Sequence, residues 1–255
     1  MREDYYPDID RHFELMPPAV FRFRQPAEIV TQVRTRPPFP AARDGYRRSV
    51  LNLHQVARSY RQGLHRDWCS PRRDKPLLLE KICCALASEQ INILSADFFT
   101  RGDGMVVNLF RVCTTNFETV SDLNVRKRFL TVFEEIIRAE SYKPEQYLKR
   151  KMNFLKPRTD SGIQVPVRAY VSNDLHPSCT TVEIQALDRI GLLHDLFHAI
   201  NSHGLNTAHA RILTEKGVAM DTLYLDDGGR PPGPRPSDAR EPRRDLSGLV
   251  ARGET

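Results

Sequence analysis

From Asp188 the chain reads Asp188-Arg189-Ile190-Gly191-Leu192, where an alternating, strand-like stretch passes into a helix-like one. Gly191 lets a ligand approach the backbone closely, and the first turn of a helix leaves N–H groups free to receive a carboxylate. That combination is the chemistry an α-amino acid requires, although a plain structural turn is built from the same residues. His194 and His198 stand four apart with Asp195 between them, and His203 and His209 follow, a spacing that can hold a metal. Leu192, Leu193, Leu196, Phe197 and Ile200 already define the buried stripe of that helix, however, so His194, Asp195 and His198 are expected to face solvent and no metal is expected. Gly102-x-Gly104 is too short for a phosphate loop and suits a hairpin turn. No Ser/His/Asp or Cys/His set stands out, so neither a catalytic residue nor a cofactor is assigned. The five cysteines (Cys69, Cys83, Cys84, Cys113 and Cys179) are odd in number and lack a C-x-x-C pair, which argues against a disulfide framework and a zinc knuckle.

The elements that must position these residues follow from periodicity. Leu77, Leu78, Ile82 and Leu86 repeat at helical spacing behind Asp74-Lys75-Pro76, and Cys83 and Cys84 belong to the same apolar pattern. Ile91 to Phe99 reads as a strand, Arg101 to Gly104 as a turn and Met105 to Val112 as the returning strand. Phe129, Val132, Phe133, Ile136 and Ile137 mark a second helix. Val165 to Val171 and Thr180 to Leu187 read as strands joined by a turn, with Val182, Ile184 and Ala186 alternating against polar neighbours. Trp68 and Cys69 lie where an opening strand for the first helix should run, and packing in the core is the expectation for both.

Residues 1–62 carry Pro7, Pro17, Pro18, Pro26, Pro37, Pro38 and Pro40 and are expected to be an irregular, linker-like segment with short helices. One helix fits Ile29, Val30 and Val33. Another fits 46–62, with Val50, Leu53, Val56, Ala57 and Tyr60 on one side. Residues 63–140 and 165–227 form two modules, 141–164 a basic connector with a short helix, and 228–255 a Pro/Arg-rich tail whose composition is that of a disordered segment.

The chain has 255 residues, 40% apolar and 27% charged, the balance of a globular protein. No run of 18 apolar residues exists, and the polar start Met1-Arg2-Glu3-Asp4 has no apolar leader, so the expectation is a cytoplasmic protein without a membrane partner. The net charge of +6 is scattered and fits a basic surface.

The two modules are repeats. At an offset of 114, Asp74, Leu78, Leu79, Ala85, Ser88, Asn92, Ala96 and Thr100 match Asp188, Leu192, Leu193, Ala199, Ser202, Asn206, Ala210 and Thr214. One extra residue in the first hairpin then shifts the offset to 113, setting Gly104 on Gly217 and Leu109 on Thr222. Each copy runs loop, helix, strand, tight turn, strand, which is half of a βαββαβ unit. Two such sheets can pair by their exposed faces or by their edges.

The segment Asp188 to Asp195, with Gly204-Leu205-Asn206 and Ala208 to Ile212, resembles the ACT domain. Val218-Ala219-Met220-Asp221-Thr222-Leu223-Tyr224-Leu225-Asp226-Asp227 and the lead-in Ala169 to Asp174 are similar to the last ACT domain of the PII-protein uridylyltransferase/uridylyl-removing enzymes. Met16-Pro17-Pro18 with Phe21, Pro26, Glu28 and Ile29 resembles the segment that leads into their ACT pair. The resemblance implies an α+β fold of two ferredoxin-like ACT modules with antiparallel sheets. It also implies allosteric regulation in nitrogen metabolism through binding of a small amino acid, glutamine by family analogy. The partners it implies are a PII-type protein, a separate catalytic subunit, or further copies joined through the ACT sheets. In ligand-binding ACT domains the positions matching Asp188 and Asn206 contact the amino acid across the module interface; Asp74 and Asn92 match them in the first repeat. Arg189, Ile190, Gly191 and Leu192 complete the expected site.

The departures are specific. The nucleotidyltransferase and hydrolase motifs of those enzymes are absent, so the chain reads as a stand-alone or truncated regulatory region. Leu77 stands where Gly191 would be, which predicts weak binding or none in the first module. The alternative is a basic adaptor for protein or nucleic acid that uses its paired sheets without a small ligand.

Overall fold

The computed structural model describes residues 14–15, 56–57, 66–73, 77–100, 105–148, 166–176 and 179–226. They form a mixed α+β fold with an antiparallel sheet. Its strands are β1 (Val56–Ala57), β2 (Arg66–Arg73), β3 (Asn92–Thr100), β4 (Met105–Cys113), β5 (Arg168–Ser172), β6 (Thr180–Leu187), β7 (Asn206–Glu215) and β8 (Val218–Asp226). The helices are α1 (Leu78–Ser88), α2 (Leu123–Arg138), α3 (Pro144–Leu148) and α4 (Leu192–Ser202). The strand order is β1-β2-β4-β3-β7-β8-β6-β5. Each half therefore lays out its strands as second, third, first, and the place beside the first strand is taken by the strand that precedes it in the chain, β1 or β5.

Alternation decides which face is covered. Ala96, Phe98, Phe110, Val112, Val182, Ile184, Ala186, Ala210, Ile212, Leu223 and Leu225 point the same way and are buried with the apolar stripes of α1, α2 and α4 in one continuous cluster. Arg111, Glu183, Arg211 and Met220 lie on the opposite, exposed side. Asp122 caps α2, its carboxylate accepting from the Asn124 N–H at 2.8 Å.

The two halves join edge to edge where β3 pairs with β7, Ala96 opposite Ile212, Asp97 opposite Arg211 and Phe98 opposite Ala210. At the offset of 114, Ala96 is equivalent to Ala210 and Phe98 to Ile212, so the seam maps onto itself and centres on Asp97 and Arg211. Opposite charges meet there; either half paired with its own copy would set like charges face to face.

The sequence pattern misplaces one element. Val56 and Ala57, expected in a helix over 46–62, are the edge strand β1, because the open edge of β2 offers main-chain partners that outweigh a weak local periodicity. The rest of that segment, the turn 101–104, most of the basic connector and the tail from Gly228 lie outside the described residues. Among the described residues no helix is long and apolar enough to cross a membrane.

The repeat extends to backbone conformation. Gly191 precedes α4 with φ 82°, and Leu77 precedes α1 with φ 61°. Left-handed φ costs a non-glycine residue roughly 1–2 kcal/mol, partly offset by the extra unfolded-state freedom of glycine. Leu77→Gly is therefore expected to stabilise the protein by about 0.5–1 kcal/mol, read as a higher midpoint in urea unfolding; an unchanged or lower midpoint contradicts the strain.

Candidate functional site

The strand-to-helix turn after β6 is pinned by the hairpin beside it. Lys216 and Gly217 both take positive φ, as a two-residue hairpin turn requires, and the Gly217 carbonyl accepts from the Asp188 N–H at 2.8 Å. The Asp188 side chain then crosses the seam: Asn92 Nδ2 donates to its Oδ2 at 2.7 Å. Asn92 can reach because the β3–β4 register shifts between Ile93 and Ser95, and Ile91, Asn92 and Ile93 are all buried.

A cavity of about 20 Å³ lies at this junction. Asn92 and Cys83 line it from the first half, and Asp188, Arg189, Gly191, Leu192, His194, Thr214 and Asp221 from the second. Burial pushes the Asp188 carboxyl up, against the opposing effect of its bonds from Asn92, the Arg189 N–H and Thr214. Asp221 is more extreme. It is 2% exposed on β8, at an inward position between Ala219 and Leu223, and burial pushes it up to about 7 even though the Leu213 N–H donates to its Oδ1 at 3.3 Å; the Asp188 charge raises it further. Its Oδ2 has no partner among the described residues.

The Arg189 charge lowers Asp188, but the Arg189 side chain is committed elsewhere. Its guanidinium is bound to Asp195 at 2.6 Å. Burial opposes ionisation of Asp195, but the bond from His194 and the Arg189 charge outweigh it and hold the carboxyl below the usual range. Arg189 thus ties the turn to the first turn of α4.

Several expectations need correction. His194 is buried, not solvent-facing: its Nδ1 lies 3.0 Å from Asp195 Oδ1, and its Nε2 is buried without a partner among the described residues. The reason is that α4 packs on α1 of the other half, which covers a flank that an isolated helix would expose. Asp195 is only partly exposed, whereas His198 is the outermost of the three. His198 Nδ1 lies 2.8 Å from the buried Glu80 of α1, and Asn201 donates to the same carboxylate at 2.7 Å. Asn206 is not beside Asp188; it is exposed at the far end of the seam and donates to Asp226 Oδ1 at 3.2 Å. Ile190 is buried but does not line the cavity. Asp74 lies outside the described residues. Gly191 has positive φ, so any side chain there would be strained irrespective of ligand.

The pattern reading passed over Asp221 and Glu80. Asp221 was detectable: it occupies an inward register position in the run Ala219, Asp221, Leu223, Leu225. Its repeat equivalent at the offset of 113 is Asn108, fully buried with neither amide atom partnered among the described residues. Glu80 was not detectable, since its partners lie 118 and 121 residues away.

No protein-family model matches the chain, and no solved structure matches it.

Proposed function

We propose that this chain is a regulatory amino-acid-binding protein of tandem ACT type, its modules at 63–140 and 165–227, with glutamine the first ligand to test. It would pass its ligand state to a PII-type protein or to a separate catalytic subunit. The observation that carries the reading is the Asn92–Asp188 hydrogen bond across the seam, at the N-terminus of α4. It sets an amide from the first half beside an acidic acceptor and the helix-opening N–H groups of the second, as a zwitterion requires. Strand order and the edge-to-edge seam are consistent with two ferredoxin-like units side by side. The cavity of about 20 Å³ has room for a head group only, so the remainder of a ligand lies at the mouth or the seam opens to admit it.

Calorimetric titration of the full chain with glutamine and the other amino acids tests this. One site per chain is expected. Asn92→Ala should weaken it about tenfold or more, since a hydrogen bond to a charged group is worth about 1.5–3 kcal/mol. If no amino acid binds, the reading fails, and a salt-dependent affinity for nucleic acid would favour the basic adaptor instead.

A further inference from the structure

Two carboxylates line the cavity. One is that of Asp188. The other is that of Asp221, whose Oδ2 has no partner among the described residues. His194 lines it too, its Nδ1 3.0 Å from Asp195 Oδ1 and its Nε2 without a partner among the described residues. Both atoms belong to side chains more than nine-tenths buried, and buried polar atoms without partners are costly. From the other half the Asn92 amide is already used on Asp188, and Cys83 offers only a thiol, a weak donor. The volume, about 20 Å³, is that of one water or one ammonium group. A water brings two donors; an ammonium brings three and the charge that two neighbouring carboxylates lack.

We propose that Asp221 is a second carboxylate of this site, receiving with Asp188 the primary ammonium group of a ligand and releasing a proton to solvent as that cation enters. The proposal rests on the amino-acid reading for the remainder of the ligand. In the empty site the proton sits on Asp221; on binding, the O–H bond breaks, the proton leaves for buffer, and the carboxylate accepts from the ammonium, so charge in the cavity balances. The raised Asp221 carboxyl is consistent with this order. The charged and titratable groups that line the cavity with Asp221 are Asp188 and Arg189 from the turn, His194 from α4 and Cys83 from α1; Asp195 is bound to Arg189 and His194, and Glu80 acts on Cys83. Arg189 is bound to Asp195 and its charge lowers Asp188, while burial lifts Cys83 well above its ordinary value; no cation is hydrogen-bonded to Asp221 among the described residues. In the first half the equivalent Asn108 is uncharged and makes no such demand.

The test is calorimetry of the full-length protein near pH 6 in phosphate and in imidazole buffer, which differ in ionisation enthalpy. The probes are glutamine, the other amino acids, methylammonium chloride, and the glutamine analogue that lacks the amine. An amino acid is expected to bind with release of nearly one proton near pH 6 and none near pH 8, to lose affinity toward tenfold per pH unit below about pH 7, and to outbind the amine-free analogue. Asp221→Asn should abolish the proton release and flatten the pH profile. The wild-type buffer comparison decides the matter even if that variant does not fold. Amino-acid binding with the same apparent enthalpy in both buffers overturns the role of Asp221 and leaves the amino-acid site standing. Proton release driven by methylammonium alone, with no amino acid bound, supports Asp221 as a cation site and removes the amino-acid reading. Absence of both overturns both.

Discussion

Asp221→Asn is expected to remove a large pH dependence of stability from the unliganded protein. Asp221 is held at about 7 in the fold against an ordinary value of 3.8, so between those limits the native state keeps a proton that the unfolded chain gives up. The sign follows: the stabilisation is fully present below about pH 4 and is lost as pH rises through about 7. The span corresponds to about 4 kcal/mol as an upper figure, at roughly 1.4 kcal/mol per pH unit. Asp188, also raised by burial, acts in the same direction, while Asp195, lowered, acts in the opposite one; both remain in the variant. Urea unfolding of wild type and Asp221→Asn at intervals from about pH 4 to pH 8.5 isolates the contribution. The difference between the two curves should grow steadily up to about pH 7 and then level off. Parallel curves would mean that Asp221 ionises in the fold as it does in water.

The second large effect concerns the seam. Phe98, on β3 of the first half, is 3% exposed and meets Phe110 edge-on at 5.4 Å and Phe197 of α4 in the second half at 5.9 Å. Phe98→Ala removes one ring from a cluster that spans both halves, and a buried Phe→Ala change costs about 3–5 kcal/mol. The loss is expected in both halves together. Fluorescence of Trp68, the one tryptophan, follows the first half, and hydrogen exchange of the β6 and β8 amides follows the second. Coincident transitions, shifted together in Phe98→Ala, are the expected result; two separable transitions, with only one displaced, would show that the halves are independent domains.

The same division between local and long-range information separates what the residues alone determined from what the tertiary structure decided. Thr180 to Leu187 is a strand in the fold because Val182, Ile184 and Ala186 alternate, and α4 buries Leu192, Leu193, Leu196, Phe197 and Ile200 because they recur at helical spacing. Such patterns act between neighbours a few residues apart, and each needs only one covered face to be expressed. The repeat also gave the equivalence of Leu77 and Gly191, and the backbone honours it at the same left-handed φ.

Partnership across the molecule was not written locally. Asp188 carries the same residue type whether it meets Asn92, Asn206 or water. The antiparallel β3–β7 seam selects Asn92 and carries Asn206 to the opposite end. His194 reads as the polar flank of an amphipathic helix until α1 of the other half packs against α4 and takes it out of water. The chemistry of Asp221 follows from the same cause. A carboxyl group has no unusual proton affinity of its own; it acquires one when the sheet turns it inward beneath α4, beside a second carboxylate and away from solvent.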